Sequence, residues 1–355
     1  MIKLWEHLLN QSPFVAHLSI YIIKQREIEM SRIKITPVEP SIDDREMLTE
    51  IAVLYYQEGA TQEEIAKKFS ISRIKVGRLL RKAREEGIVE INVRYHPIYS
   101  AQLEQRLVEK FNLKRALIAL DNADNQEQRK QVAVLVSAFL ANNLQDNSSV
   151  AVGQGQNVAA VADYVGIVTQ RNARFVCAIG GTHRSGDSIN ADHICRQLAK
   201  KFGGSSETLY APAYVDSFET RADFLAHDTI ADTLKQARNA DFALVGVGDM
   251  NENSHMVKLG WFSLQEFAEA RLNEGIIGDI GGFDFFKLTG ENARTRLRDR
   301  VIGLNTEDLR RIPNVIAIAS EERKALALLG ALRTGSIDIL ATSVSCAMTL
   351  LNMSE

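Results

Sequence analysis

A chain of 355 residues, 45% hydrophobic and 25% charged, is long enough for two domains and a sizeable core, and its composition is that of an ordinary globular protein. The formal net charge of −3 excludes general affinity for polyanions as a property of the whole molecule. Cys177, Cys195 and Cys346 are odd in number and show no C-x-x-C spacing, so neither a disulfide framework nor a metal site is expected, and the chain reads as a protein of the reducing cytoplasm.

Residues 1–40 read as an N-terminal extension and linker. Met1 to Met30 is amphipathic, with Trp5, Leu8, Leu9, Phe14, Ile20, Ile22 and Ile23 among polar residues, and lacks the apolar core and cleavage site of a signal peptide. It is either an accessory helix or a stretch upstream of a true start at Met30. Arg32 to Ser41, with Pro37 and Pro40, is linker by composition, and no apolar run approaches the length of a membrane span.

Residues 41–96 read as a small helical head ending in a short strand. Asp43 to Gln57 places Leu48, Ile51, Ala52 and Tyr55 on one face, with Gly59 as its stop. Thr61 and Glu64 form a capping box for a second helix whose apolar face is Ile65, Ala66 and Phe69. Ser70-Ile71-Ser72 interrupts, and Ser72 caps a third helix in which Val76, Leu79, Leu80 and Ala83 make one buried stripe. From Thr61 to Gly87 there are eight Lys or Arg against four Glu, so the basic charge of an otherwise acidic chain is concentrated here. Arg73 and Lys75 fall in the first turn of the third helix, where the helix dipole disfavours cations. DNA would turn that local cost into binding energy, because a recognition helix enters the major groove by its N-terminal end. The competing reading is a solvated basic face. Thr61, Gln62, Ser72, Arg73, Lys75, Val76, Arg78 and Lys82 are the candidate DNA-binding residues, with Arg84 as a further phosphate contact. Ile88 to Val93 alternates with period two and predicts a short wing strand, and Arg94 to Pro97 is the expected boundary.

Residues 97–355 change pattern. After a helix with Leu103, Leu107, Val108 and Phe111 inward, apolar runs alternate with helical stretches such as Glu127–Leu144. The runs are 116–120, 150–152, 175–179, 208–211, 242–247, 276–280, 315–319 and 337–341. Strands apolar throughout and alternating with helices predict an α/β domain with a doubly wound parallel sheet. In such sheets ligands sit beyond the carboxyl ends of the strands. The junctions there are Gly153-Gln154-Gly155-Gln156-Asn157, Gly180-Gly181, Gly246-Val247-Gly248-Asp249, Gly278-Asp279 and Ser320-Glu321-Glu322-Arg323-Lys324. Glycines after strands are commonly turn chemistry alone. Lys324 is another cation in a helix's first turn, where either a bound anion or an ion pair to a glutamate accounts for it. Taken together, the junctions suggest a pocket for a small polar ligand.

At these residues the chain resembles the SorC (DeoR-superfamily) transcriptional regulators of bacterial sugar metabolism, from Glu46 to Leu351. The match is closest over T-Q-E-E-I-A-K-K-F-S-I-S-R-I-K-V-G-R-L-L-R-K-A-R-E-E-G-I-V, and recurs at G-Q-G-Q-N, I-G-G, L-Y-A-P, V-G-V-G, G-D-I and the Lys324 helix. The resemblance implies a winged-type helix-turn-helix head on a sugar-phosphate-isomerase-like effector-binding and oligomerisation domain. It also implies a double-stranded DNA operator, a small phosphorylated sugar or polyol as effector, a homodimer or homotetramer, and no cofactor. It carries effector contacts to Gly153, Gly155, Gln156, Asn157, Gly180, Gly181, Asp279 and Lys324, with Asp279 accepting from sugar hydroxyls and Lys324 meeting phosphate. The chain departs from the family pattern at Asn157, Gly77, Thr342-Ser343 and the run Phe283-Asp284-Phe285-Phe286-Lys287. The alternative is a sugar-phosphate isomerase or deaminase behind a DNA-binding head, with Asp279, His183 or His255 as acid–base groups.

Overall fold

The computed structural model describes residues 42–89, 97–182, 187–252, 254–293 and 295–354. The N-terminal extension, the wing expected through Val93, and His183 lie outside the described residues. The chain divides into two compact units, Met1–Val93 and Arg94–Glu355.

The first unit contains α1 (Ile42–Tyr56), α2 (Gln62–Lys68) and α3 (Arg73–Glu85). Both caps read from sequence form. Thr61 Oγ1 accepts from the Glu64 N–H while Glu64 Oε2 accepts from the Thr61 N–H, and Ser72 Oγ accepts from the Lys75 N–H at 3.2 Å. The three helices converge on Ile51, Ile65, Val76 and Leu80, with Leu48, Ala52 and Ala83 buried beside them. Gly77 lies on α3 with ample room: an added Cβ would meet only the Gln62 side-chain oxygen, at 3.6 Å.

The second unit opens with α4 (Pro97–Phe111) and continues as β1 (Arg115–Ala119), α5 (Asn125–Asn143), β2 (Ser149–Val152), α6 (Gln156–Asp163), β3 (Arg174–Cys177), α7 (Ala191–Phe202) and β4 (Ser205–Glu207). Then come α8 (Phe218–Ala226), α9 (Asp228–Arg238), β5 (Phe242–Asp249), α10 (His255–Lys258), α11 (Leu264–Asn273), β6 (Ile276–Ile280) and β7 (Asp284–Lys287). The unit ends with α12 (Thr306–Leu309), β8 (Asn314–Ile318), α13 (Ala325–Arg333), β9 (Ile339–Ser343) and α14 (Val344–Ser354). Seven strands pair in parallel in the order β1-β9-β8-β5-β2-β3-β4. Consecutive residues of the central strands are buried, so both faces of the sheet are covered. The helices α5, α6 and α7 pack in succession, as do α4, α14 and α13. One continuous apolar core results.

Two strands depart from the parallel pattern. β6 runs antiparallel to the last residues of β5, pairing Val247 with Ile280, Gly248 with Asp279 and Asp249 with Gly278, and β7 turns back along it. The stretch 276–280 is therefore a strand, as expected, but it belongs to a hairpin hooked onto the carboxyl end of β5. The hairpin is anchored at Asp284, whose buried carboxylate accepts from the Thr306 N–H and hydroxyl at 2.7 Å and pairs with Arg298 at 2.8 Å. The strand expected at 208–211 is replaced by Ser205–Glu207, which pairs with β3, and Thr208 instead donates to the Asp192 carboxylate. Among the described residues no helix is long and apolar enough to cross a membrane.

Replacing Gly77 by Ala removes backbone freedom from the unfolded chain at a helical position with space for a methyl group. The expected gain is about 0.5–1 kcal/mol, seen as slower hydrogen exchange of the α3 amides.

Candidate ligand-binding site

In the centre of the sheet β8, β5 and β2 lie side by side, and their carboxyl ends open into a cleft of about 140 Å³. The loop after β2 supplies Gln154 and Gly155 and the first turn of α6 supplies Gln156 and Asn157; the end of β5 supplies Gly246 to Asp249; the β6–β7 hairpin supplies Asp279, Gly281 and Gly282. The turn after β8 adds Glu321, Arg323 and Lys324, and His255 and Met256 come from α10.

Each segment is locally built for this placement. Gly155, at φ +114°, sits where a side chain is strained and starts α6 without a side-chain cap or an acidic residue in its first turn. Its N–H donates to Ile189 O at 3.0 Å, tying the loop to the turn that precedes α7. Asn157 is buried and bridges two strand ends. Its amide nitrogen donates to Glu321 Oε2 at 3.1 Å, and its oxygen accepts from the Ser320 hydroxyl at 2.8 Å. A carboxamide has a donor and an acceptor on separate atoms, which gives the departure at this position a structural use.

Lys324 is held 3.2 Å from Glu321, and Arg129 approaches the other carboxylate oxygen at 3.4 Å. Burial alone would raise the Glu321 pKa. Lys324, the Asn157 amide and Arg129 outweigh it and hold the carboxyl at about 2. Of the two explanations the sequence offers for a cation at 324, the ion pair to a glutamate is present. Asp279 lies in the opposite environment. It is only 5% exposed, with no cation in contact among the described residues, and Oδ1 accepts from the Gly282 N–H at 2.9 Å. Burial pushes its carboxyl up to about 7; the Gly282 N–H and Lys324 oppose the rise and Asp249 adds to it. The carboxylate occupies the space over Gly248, where a Cβ would stand 2.0 Å from Oδ2. His255 has its pKa lowered by burial and by Lys258, Lys324 and Arg129. The shift favours its neutral form.

The structure thus brings Gly155, Gln156, Asn157, Asp279 and Lys324 together in one cleft. Gly153, Gly180 and Gly181 do not line it. The Gly153 N–H donates to Leu244 O, and the Gly180 and Gly181 N–H groups donate to Ile302 O and Ala211 O. A Cβ on Gly180 would lie 2.4 Å from Pro212 O, so this glycine serves backbone packing. His255, Met256 and Gln154 also face the cleft. The one-turn helix α10 has no apolar periodicity or motif that marks it in the sequence. Among the described residues no group of three or more His, Cys, Asp or Glu could hold a metal ion.

In the first unit Thr61, Ser72, Arg73, Lys75 and Arg78 are exposed, Gln62 is half-buried, and the Lys82 ammonium lies 3.5 Å from Glu86. The first turn of α3 contains no acid, and Ile74 beside these cations is 73% exposed. Val76 is wholly buried among Ile51, Ile65 and Leu80. It is a core residue and is withdrawn from the direct contact set, because a side chain without accessible surface has nothing to offer a base edge.

At its central strand ends the α/β domain carries a cleft lined by charged and amide side chains as well as glycines. Residues 95–352 match the family described as "Putative sugar-binding domain". The crystal structure of such a domain from a Vibrio fischeri transcriptional repressor is 72% identical, with a TM-score of 0.69, over 72% of this chain and 99% of that one. The full-length sorbitol operon regulator SorC from Klebsiella pneumoniae is 26% identical with a TM-score of 0.65, over 87% and 99%. The transcriptional regulator LsrR of Enterobacter sp. (strain 638) is 27% identical over 88% of this chain and 94% of its own length. The chain belongs to the SorC-type, sugar-responsive transcriptional regulators that carry this sugar-binding domain.

The two cleft carboxylates respond to pH in opposite senses. A folded-state pKa raised to about 7 makes Asp279 favour folding while protonated, so its contribution falls as pH rises from about 4 to 7. The depressed Glu321 contributes above about 4.5 and loses that contribution as pH falls toward 2. Asp279→Asn is expected to remove a slope of at most about 1.4 kcal/mol per pH unit between pH 5 and 7 from denaturant-melt stability, leaving the acid limb intact.

Proposed function

We propose that this chain is a DNA-binding transcriptional regulator of a carbohydrate or polyol catabolic operon, set by a small phosphorylated sugar or polyol held in the cleft of residues 97–355. The observation that carries this reading is the pairing of two features on one chain. One is a sugar-binding domain with Asn157, Asp279 and Lys324 converging at its strand ends. The other is a short helix with Arg73, Lys75 and Arg78 exposed and no acid in its first turn.

In this reading residues 41–96 are a helix-turn-helix DNA-binding domain of the winged type, and α3 is its recognition helix. Ser72 caps α3, and Thr61 with Gln62 at the start of α2 approaches the sugar–phosphate backbone. Arg73, Lys75 and Arg78 enter the major groove, and Lys82 meets phosphate. One head reads half a site, so the protein works as a homodimer or homotetramer assembled through the larger domain. In the cleft, Gly155, Gln156, Asn157 and Asp279 face the hydroxyl-rich end of the effector, and Lys324 faces its phosphate. Effector binding changes operator affinity through a coupling of about 1–3 kcal/mol. The site of action is the cytoplasm, where the operator lies. The relatives named above are regulators, and the protein is read as a regulator and not as an isomerase or deaminase.

Arg78→Ala is expected to cost about 1–3 kcal/mol in operator affinity and to relax base preference, measured by mobility shift on DNA selected by the wild-type protein. Unchanged affinity would remove Arg78 from the contact set. A thermal-shift screen of sugars, polyols and their phosphates tests the other half of the reading. The effector at a hundred times its dissociation constant stabilises the native protein by about 2.7 kcal/mol. A response to neutral sugars and none to phosphorylated ones would overturn the phosphate assignment.

A further inference from the structure

Lys324 is not the most available cation of the cleft. Its ammonium is neutralised by Glu321, which is itself held by Arg129 and Asn157, so an anion reaching Lys324 meets a fixed carboxylate beside it. Arg323, one residue earlier, stands differently. Its side chain is 56% exposed, lines the cleft, and bonds through Nη1 to Asp249 Oδ2 on the end of β5. Among the described residues no other partner engages its guanidinium, which carries five N–H donors in a planar fork. That fork fits two oxygens of a phosphate or carboxylate at once.

Asp249 is half-buried, the last residue of β5, and also lines the cleft. It pairs in register with Gly278, next to Asp279, and is one of the charges that raise the Asp279 pKa. The Asp249–Arg323 pair therefore joins the end of β5 to the turn after β8, on the lining of the cleft. The arginine half of the pair is more than half exposed, and an ion pair open to solvent on that side contributes little to stability. A pair that lines the cleft and leaves most of its guanidinium fork without a protein partner can exchange its carboxylate for another anion.

We propose that Asp249 and Arg323 form a ligand-displaceable latch across the cleft, in which an anionic group of the ligand takes Arg323 from Asp249. This rests on the reading of the cleft as the effector site. Arg323 supplies the fork that takes the anion beside Lys324, and Asp249 is the internal competitor that sets how strong the anion's claim must be. Neutral ligands leave the pair closed. Removing the competitor tightens anion binding, and removing the fork weakens it.

The test titrates inorganic phosphate into the full-length wild type, Arg323→Gln and Asp249→Asn, against potassium chloride at matched ionic strength, with affinity read by calorimetry and thermal shift. Both replaced side chains lie at the rim of the cleft, and circular dichroism melts confirm that each variant is folded. The expected result is phosphate binding by the wild type, weakened roughly tenfold or more in Arg323→Gln and tightened several-fold in Asp249→Asn. Equal phosphate affinity in the wild type and Arg323→Gln overturns the latch. So does an Asp249→Asn variant that binds no more tightly than the wild type. A wild type that does not respond to phosphate at all overturns the latch, while the phosphorylated-effector reading is decided separately by the thermal-shift screen of sugars and their phosphates. The operator-binding reading stands or falls separately, by mobility shift.

Discussion

Strands buried on both faces satisfy their backbone groups through the sheet, but they have to end, and their ends concentrate unpaired donors, acceptors and helix termini in one place. In this protein that constraint falls on β2, β5 and β8, the three central neighbours. The molecule meets it with side chains rather than by closing the gap. Asn157 links the exit of β2 to the exit of β8, and the β6–β7 hairpin docks on the exit of β5. The cleft is the space these ties leave between them.

Within that space, electrostatic environment varies sharply over a few residues. Glu321 is surrounded by a lysine, an arginine and an amide donor, which make its charged form the favoured one despite burial. Asp279 has one backbone N–H and a more distant lysine, which do not offset the loss of water. One acid is therefore a fixed anion near pH 7, while the other stands close to the midpoint of its titration and can both donate and accept. A polyhydroxylated ligand has hydroxyls that act in either role, so a carboxyl in this state can satisfy more than one orientation of the same group.

Much of the fold was legible because central strands are continuous apolar runs with turn residues at both ends. Val150–Val152 and Val315–Ala319 are of that kind. The edge strand Ser205–Glu207 carries no such run, because an edge needs little burial, and the apolar stretch beside it drew the expectation to 208–211. The hairpin was half-legible: 276–280 reads as a strand, but its direction depends on pairing that sequence periodicity does not encode. Among the glycines, sequence could not separate Gly155 from Gly180. A positive φ at Gly155 and the close approach of Pro212 O to Gly180 impose the same demand for a missing side chain. Val76 lies within a basic segment that points to DNA, yet its place in the apolar stripe assigns it to the core.

Gly248 and Asp279 face each other across the antiparallel pair, and the carboxylate fills the volume that any side chain at 248 would need. The two positions therefore share one volume, and during divergence they are not free to vary independently. A lineage that enlarges residue 248 must first surrender or reposition the acid at 279. A drift in ligand preference through this part of the cleft has to proceed by paired replacement, and the smaller residue constrains which carboxylates the larger site can keep.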